Sequence, residues 1–206
     1  MFNQLMLVGV GIVIFTIAQA VGSALQAYKI FRSQSAEAVS VSWFVYYLAA
    51  SIAQIDYGVW RGWEEMILYN GGVLVVSQLP VLVGLWKYKK WLRRDWIIVA
   101  LSTLATTFMY STVHKRETFS AIMALIIFAA YLQTREMWLK GRGRVDVRLQ
   151  IIYLISALVW TFYFFWREDP VFMWVNPTYS LLVSANVVLW YYDRPNRRLR
   201  DRPKYA

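Results

Sequence analysis

The chain has 206 residues, of which 59% are hydrophobic, and its mean hydropathy is +0.40. So much apolar surface excludes an ordinary water-soluble domain, and the absence of cysteine excludes disulfides and thiol chemistry. The net charge of +10 would suit a nucleic-acid partner, but the positions of the basic residues argue against one.

Seven apolar segments follow one another along the chain, and each is long enough to cross a hydrocarbon core of about 30 Å. They cover about residues 4–26, 41–60, 65–86, 96–112, 118–137, 149–166 and 171–191. A soluble helical bundle would show amphipathic stripes on its outer helices, whereas these segments are apolar on all sides. The sequence therefore predicts an all-α integral membrane protein with seven transmembrane helices.

The basic residues fall almost entirely on one side of these segments. Of the 22 Lys and Arg, 18 lie in or beside the connections between segments 1 and 2, 3 and 4, and 5 and 6, or in the C-terminal tail. Short loops rich in Lys and Arg stay in the cytoplasm, which predicts an outside N-terminus and a cytoplasmic C-terminus. The charge is thus a topology signal, and it predicts contact with membrane lipid rather than with nucleic acid.

An internal repeat links the two halves of the chain. Gln54, Tyr57, Trp60 and Asn70 correspond to Trp160, Tyr163, Trp166 and Asn176, each 106 residues further along. Three helices per repeat, with one helix between the copies, give both copies the same orientation in a 3+1+3 arrangement. We predict a first repeat at 1–90, a linker helix region at 91–116, a second repeat at 117–192 and a basic cytoplasmic tail at 193–206.

Residues 26–42 (QAYKIFRSQSAEAVSVS), followed by a helix ending in Asp56-Tyr57-Gly58, resemble the PQ-loop superfamily. The likeness is strongest to its SWEET and SemiSWEET (MtN3/saliva) sugar transporters. It implies a seven-helix carrier, a pocket pair formed by Trp160 and Asn176, and a homotrimer. The chain departs from the pattern at three points. Gln54 replaces the usual Trp, and Leu25-Gln26 and Leu132-Gln133 replace the two Pro-Gln pairs.

Helical geometry predicts where the polar residues of the repeat lie. With about 1.5 Å rise per residue, Gln54 and Asn70 come to similar depth on neighbouring helices, as do Trp160 and Asn176. Two amides can hydrogen-bond sugar hydroxyls, and an indole face packs against a sugar ring. We therefore predict these four residues, together with Tyr57 and Tyr163, as the substrate-binding set. The two tyrosines are expected on the outer side of the site, where they line a gate.

A helix-breaking step follows each asparagine, Gly71-Gly72 in one repeat and Pro177 in the other, which predicts interrupted helices at the site. Trp60, Trp63 and Trp166 are predicted to belong to an outer interfacial belt. The chain has one His and no Cys. No catalytic or metal-ligating pattern is visible, so we predict no enzymatic activity, no metal and no other cofactor.

The predicted function is facilitative transport of a small sugar or similar neutral polar solute by alternating access. The first alternative is a proton-coupled transporter of amino acids or cationic metabolites, with Asp56 as the coupling residue, because a carboxylate within the membrane is costly unless it has a function. Otherwise, Asp56 would reach toward Arg61 or interfacial water. The sequence also leaves open a non-transporting receptor and a membrane anchor subunit.

Overall fold

A computed structural model describes residues 2–37, 39–64, 71–140 and 145–200 of the chain. All regular secondary structure in this part is helical, which confirms the predicted all-α class. The helices are α1 (Phe2–Ser33), α2 (Val41–Arg61), α3 (Leu74–Tyr88), α4 (Arg93–Ser111), α5 (Lys115–Lys140), α6 (Val147–Trp166) and α7 (Pro170–Arg200).

Five of these helices are long and apolar enough to cross a membrane: α1, α3, α5, α6 and α7. Their outward faces carry large apolar side chains, such as Leu181, which is 74% exposed, and Phe162, which is 66% exposed. Contiguous apolar surface of this kind is typical of contact with lipid or with another protein. Both features indicate an integral membrane protein. In contrast, α2 is buried along most of its length and carries Ser42, Ser51 and Gln54 inside the molecule.

The helices pack in two groups of three with the same contacts in each. α3 contacts α1 and α2, and α7 contacts α5 and α6. Between the groups, α1 packs against α6 and α2 against α5. When α1 is exchanged with α5, α2 with α6 and α3 with α7, the same set of contacts results. We call this property the exchange symmetry of the helix contacts. The remaining helix, α4, packs against α2 and α5.

The connections divide between two ends of the bundle. We call the end with the α1–α2, α3–α4 and α5–α6 connections the basic end, and the end with the other three the opposite end. Polar residues start helices at the basic end. Ser40 accepts a hydrogen bond from the Trp43 amide at α2, and Asp146 accepts one from the Arg148 amide at α6. Such caps satisfy amide groups that a helix start leaves unpaired.

The predicted interruptions differ between the two repeats. Residues 71–73 form a π-type turn before α3, and a Cβ atom on Gly71 would lie 1.9 Å from the side chain of Ile55. Only glycine therefore allows this close approach of α3 to α2. The break predicted at Pro177 was wrong, because α7 runs without interruption from Pro170 to Arg200. Helices packed against neighbours tolerate a proline that removes a single hydrogen bond.

Candidate functional site

A cavity of about 50 Å³ lies between the two groups of helices, where α1, α2, α5, α6 and α7 meet. All of its lining side chains are buried. A cavity needs a volume of about 10–15 Å³ to hold one water molecule, so this cavity has room for about four water molecules. It is a small internal space lined by buried side chains from both groups of helices.

Three of the residues predicted from the repeat line this cavity. Gln54 comes from α2, Trp160 from α6 and Asn176 from α7. Asn70 lies outside the described residues. The fold thus brings together side chains that correspond in the repeat and are more than 100 residues apart in sequence, such as Gln54 and Trp160.

Several polar atoms around the cavity have no hydrogen-bond partner within the described part of the chain. They are the Trp160 indole Nε1, the Asn176 Nδ2, the Ser156 hydroxyl and the Tyr179 hydroxyl. The Gln54 Nε2 contacts only a weak acceptor, the Met123 sulfur at 4.0 Å. Each unsatisfied buried group costs about 1–3 kcal/mol. Their concentration around one space makes the cavity a candidate site for a ligand that hydrogen-bonds.

Five further side chains with a hydroxyl or amide group line the cavity and were not predicted: Gln19, Tyr47, Tyr153, Ser156 and Tyr179. Tyr47 and Tyr153 occupy equivalent positions of the repeat, 106 residues apart, so the same offset could have identified them. Their rings lie 5.1 Å apart, and the Tyr47 hydroxyl donates to Gln19 Oε1 at 3.4 Å. Both repeats thus contribute to the aromatic wall.

Tyr57 and Tyr163 do not line the cavity. Each lies three residues beyond a lining residue, Gln54 or Trp160, and therefore about 4.5 Å closer to the opposite end. The Tyr57 hydroxyl donates to Asp169 Oδ2 at 2.8 Å, which joins α2 to the start of α7. The Tyr57 ring also stacks on Phe119 of α5 at 4.1 Å. This layer closes the cavity toward the opposite end.

Trp63 belongs to the same layer, and its predicted place in an interfacial belt was wrong because only 7% of it is exposed. The guanidinium carbons of Arg61 and Arg167 lie 4.6 Å and 5.8 Å from its ring centroid. Two cations near one indole stabilise the buried ring through cation–π attraction. Trp60 and Trp166 are 48% and 43% exposed. Trp63, which follows the C-terminal cap Gly62 of α2, is thus part of the interior, whereas Trp60 and Trp166 are partly exposed.

At the basic end, two equivalent hydrogen bonds join the repeats. The Gln26 side-chain oxygen on α1 accepts from the Asp146 amide at 2.8 Å, and the Gln133 oxygen on α5 accepts from the Ser40 amide at 2.9 Å. The first helix of each repeat therefore holds the start of the second helix of the other repeat. We call this pair the glutamine clamps. Lys29 Nζ supports one of them by donating to the Val145 carbonyl at 2.7 Å.

The clamp at α6 includes a carboxylate. Burial acts to raise the pKa of Asp146, but hydrogen bonds from Arg148 and the charge of Lys29 outweigh burial and hold the pKa below 3.8, its ordinary value. Asp146 is therefore ionised at neutral pH.

Between the clamps and the cavity, Trp43 stacks on Tyr179 at 5.6 Å and on Tyr47 at 6.0 Å. These residues close the cavity toward the basic end.

Asp56, predicted as a coupling residue, lies away from the cavity. Its carboxylate accepts a hydrogen bond from Lys115 Nζ at 2.7 Å rather than contacting Arg61. The same Nζ donates to the Met109 and Tyr110 carbonyls at 2.6 Å and 2.9 Å. Asp56 and Lys115 thus join α2 to the α4–α5 connection and stabilise the last turn of α4.

No family model, curated protein or solved structure matches the chain. The resemblance to the PQ-loop superfamily therefore stays a prediction, carried by residues 26–42 and 56–58. Among the described residues, no cluster of three His, Asp or Glu side chains has the geometry of a metal site.

Proposed function

We propose that the protein is a membrane transporter that carries a small neutral polar solute, a sugar or similar polyol, by facilitative alternating access. The observation that carries this proposal is the enclosed cavity between two equivalent groups of helices, lined by buried polar atoms without partners in the described part of the chain. A solute with several hydroxyl groups can satisfy donors and acceptors together.

The uncharged lining favours a neutral solute. No Lys, Arg, His, Asp or Glu is among the residues that line the cavity in the described part of the chain. A charged substrate would lose its hydration there without a counter-ion, which is costly in a buried space. Cationic metabolites and amino acids are therefore the poorer fit. Trp160 would pack against the solute, and Gln54, Asn176 and Asn70 would bind its hydroxyls.

The exchange symmetry of the helix contacts supports a 3+1+3 arrangement in which α1–α3 and α5–α7 are parallel repeats and α4 is the linker. All seven helices would then cross the membrane. The basic connections would face the cytoplasm and the N-terminus the outside. In this orientation the Tyr57–Asp169 layer is the outer closure and the glutamine clamps are part of the inner closure.

The position of these closures supports the proposed alternating access. Each joins one repeat to the other, so rocking of the repeats must break one closure while the other stays intact. The described structure holds both, and in an alternating-access cycle it would correspond to an occluded conformation. Because a sugar ring is larger than the cavity of about 50 Å³, binding would require the repeats to separate at one end.

A binding and transport measurement tests the proposal. Purified protein is titrated with mono- and disaccharides while tryptophan fluorescence is recorded, and uptake of the same sugars is measured in proteoliposomes. Trp160→Ala should abolish the saturable signal and the uptake. Trp138→Ala is the matched control, because this residue is 74% exposed and does not line the cavity. Absence of both binding and uptake across the sugar series would refute the proposal.

A further inference from the structure

A second cleft lies between α3 and α4, away from the central cavity. These helices follow one another in the chain, yet no Cα atoms of the two helices approach within 8 Å. The space between them is floored by α2 and measures about 330 Å³. Sites for small organic ligands begin at about this volume, so the cleft is large enough for part of a ligand.

The cleft is apolar along most of its length and open at its side. Val45, Ala49 and Ile52 of α2 form its floor, with Val83 of α3 and Val99 of α4 on its walls. Ile52 is 42% exposed and Val83 is 55% exposed. An elongated apolar surface that opens sideways from a membrane helix bundle fits a hydrocarbon chain better than a polar solute.

The end of the cleft near the α3–α4 connection has a different chemistry. Trp91 lines it, and the Trp91 Nε1 is buried without an acceptor in the described structure. The connection also carries Lys87, Lys90 and Arg93, all exposed, and none of the three pairs with an acid within the described ranges. The neighbouring Arg94 differs, because it bonds Glu136 at 2.9 Å.

We infer that this cleft binds one anionic phospholipid from the leaflet at the basic end. An acyl chain would lie along α2 between α3 and α4. The glycerol ester or phosphate oxygens would accept from Trp91 Nε1, and Lys87, Lys90 and Arg93 would surround the phosphate. Along the cleft, the apolar walls come first, the Trp91 indole donor next and the three cationic side chains last. A phospholipid has its acyl chain, its ester groups and its phosphate in the same order. This inference rests on membrane insertion but not on transport.

Native mass spectrometry of the detergent-solubilised full chain tests the inference with two lipids of identical acyl chains, phosphatidylglycerol and phosphatidylcholine. The wild type should retain one phosphatidylglycerol in preference to phosphatidylcholine. One surface cation contributes about fivefold to binding of anionic lipid. The triple variant Lys87→Gln, Lys90→Gln, Arg93→Gln should therefore weaken retention at least tenfold.

A charge-matched control removes three arginines from the C-terminal tail: Arg197→Gln, Arg198→Gln and Arg202→Gln. This variant should keep the preference. An equal loss in both triple variants would mean diffuse attraction of anionic lipid, and it would overturn the site.

The apolar part of the cleft is tested separately. Ala49→Phe fills the floor and should displace the chain, whereas Ala100→Phe, on an exposed face of α4 that does not line the cleft, should not. Retention of phosphatidylglycerol in a folded Ala49→Phe protein would refute the position of the chain. If Ala49→Phe instead dissociated an oligomer with no change in bound lipid, the cleft would be a contact between copies and the lipid inference would fail.

Discussion

The hydrogen bond between Tyr57 and Asp169 offers the sharpest test of how the cavity opens. It crosses from one repeat to the other at 2.8 Å, and both side chains are fully buried. Tyr57→Phe removes the donor and keeps the ring that stacks on Phe119. A repeat-to-repeat contact of this kind must break when the cavity opens at that end.

The magnitude follows from the charge of the acceptor. A hydrogen bond to a charged group contributes about 1.5–3 kcal/mol, and 1.4 kcal/mol corresponds to a factor of ten. The ratio of the form open at this end to the closed form should therefore rise roughly ten- to hundredfold in Tyr57→Phe. The glutamine clamps at the other end are unaffected by the substitution.

Labelling of a single thiol measures this ratio directly. The natural chain has no cysteine, so Ala157→Cys, on the cavity wall, introduces the only reactive thiol. In intact cells, a membrane-impermeant maleimide should label Ala157→Cys faster by the same factor when Tyr57→Phe is added. Tyr110→Phe is the control, because Tyr110 is 80% exposed and its ring is not part of the closure. An unchanged labelling rate, or an equal increase in the control, would refute the assignment of this layer as the outer closure.

Three other substitutions have defined outcomes. Gln133→Leu leaves the Ser40 backbone amide at the start of α2 unpaired. It should lower the free energy of unfolding by about 1–3 kcal/mol and raise the rate of thiol labelling from the basic end in inside-out vesicles. The control Gln78→Leu, at a buried side-chain amide without partners in the described structure, should leave stability unchanged or raise it. Asp56→Asn should lower the melting temperature and leave the pH dependence of uptake unchanged, since the carboxylate is part of a structural ion pair; loss of a proton-driven component would favour the coupled alternative. Gly71→Ala should destabilise the protein by about 1–3 kcal/mol in thermal unfolding, whereas Gly9→Ala, with nothing within 4 Å of the added atom, should not.

The helical class could be predicted because it depends on local composition. Apolar segments of membrane-crossing length specify helices without knowledge of their neighbours. Three members of the site, Gln54, Trp160 and Asn176, were also accessible because the repeat preserves their spacing. Tyr47 and Tyr153 share that spacing and could have been found in the same way.

The contacts that close the cavity were not accessible from local pattern. Gln26 and Gln133 were noted only as members of the Leu-Gln pairs that stand where the family motif has Pro-Gln, and their role depends on which helix of the other repeat lies beside them. The same holds for Asp56, whose partner Lys115 is 59 residues away. Trp63 was misplaced because a tryptophan near a helix end is typical of both a lipid interface and a buried layer. Only its contacts with Phe164 of α6 and with Arg167 distinguish the two.

The layer around Tyr57 has different chemistry at corresponding positions of the two groups of helices. Asp169 and Trp63 occupy the same position of the repeat, 106 residues apart, but one accepts a hydrogen bond and the other stacks beneath cations. A homodimer of the first half would bury two indoles and offer neither tyrosine an acceptor. Joining both copies in one polypeptide therefore does more than tether them. It allows the two corresponding positions of this layer to hold different residues, Asp169 as a hydrogen-bond acceptor and Trp63 as a cation-binding ring, which two identical chains could not do.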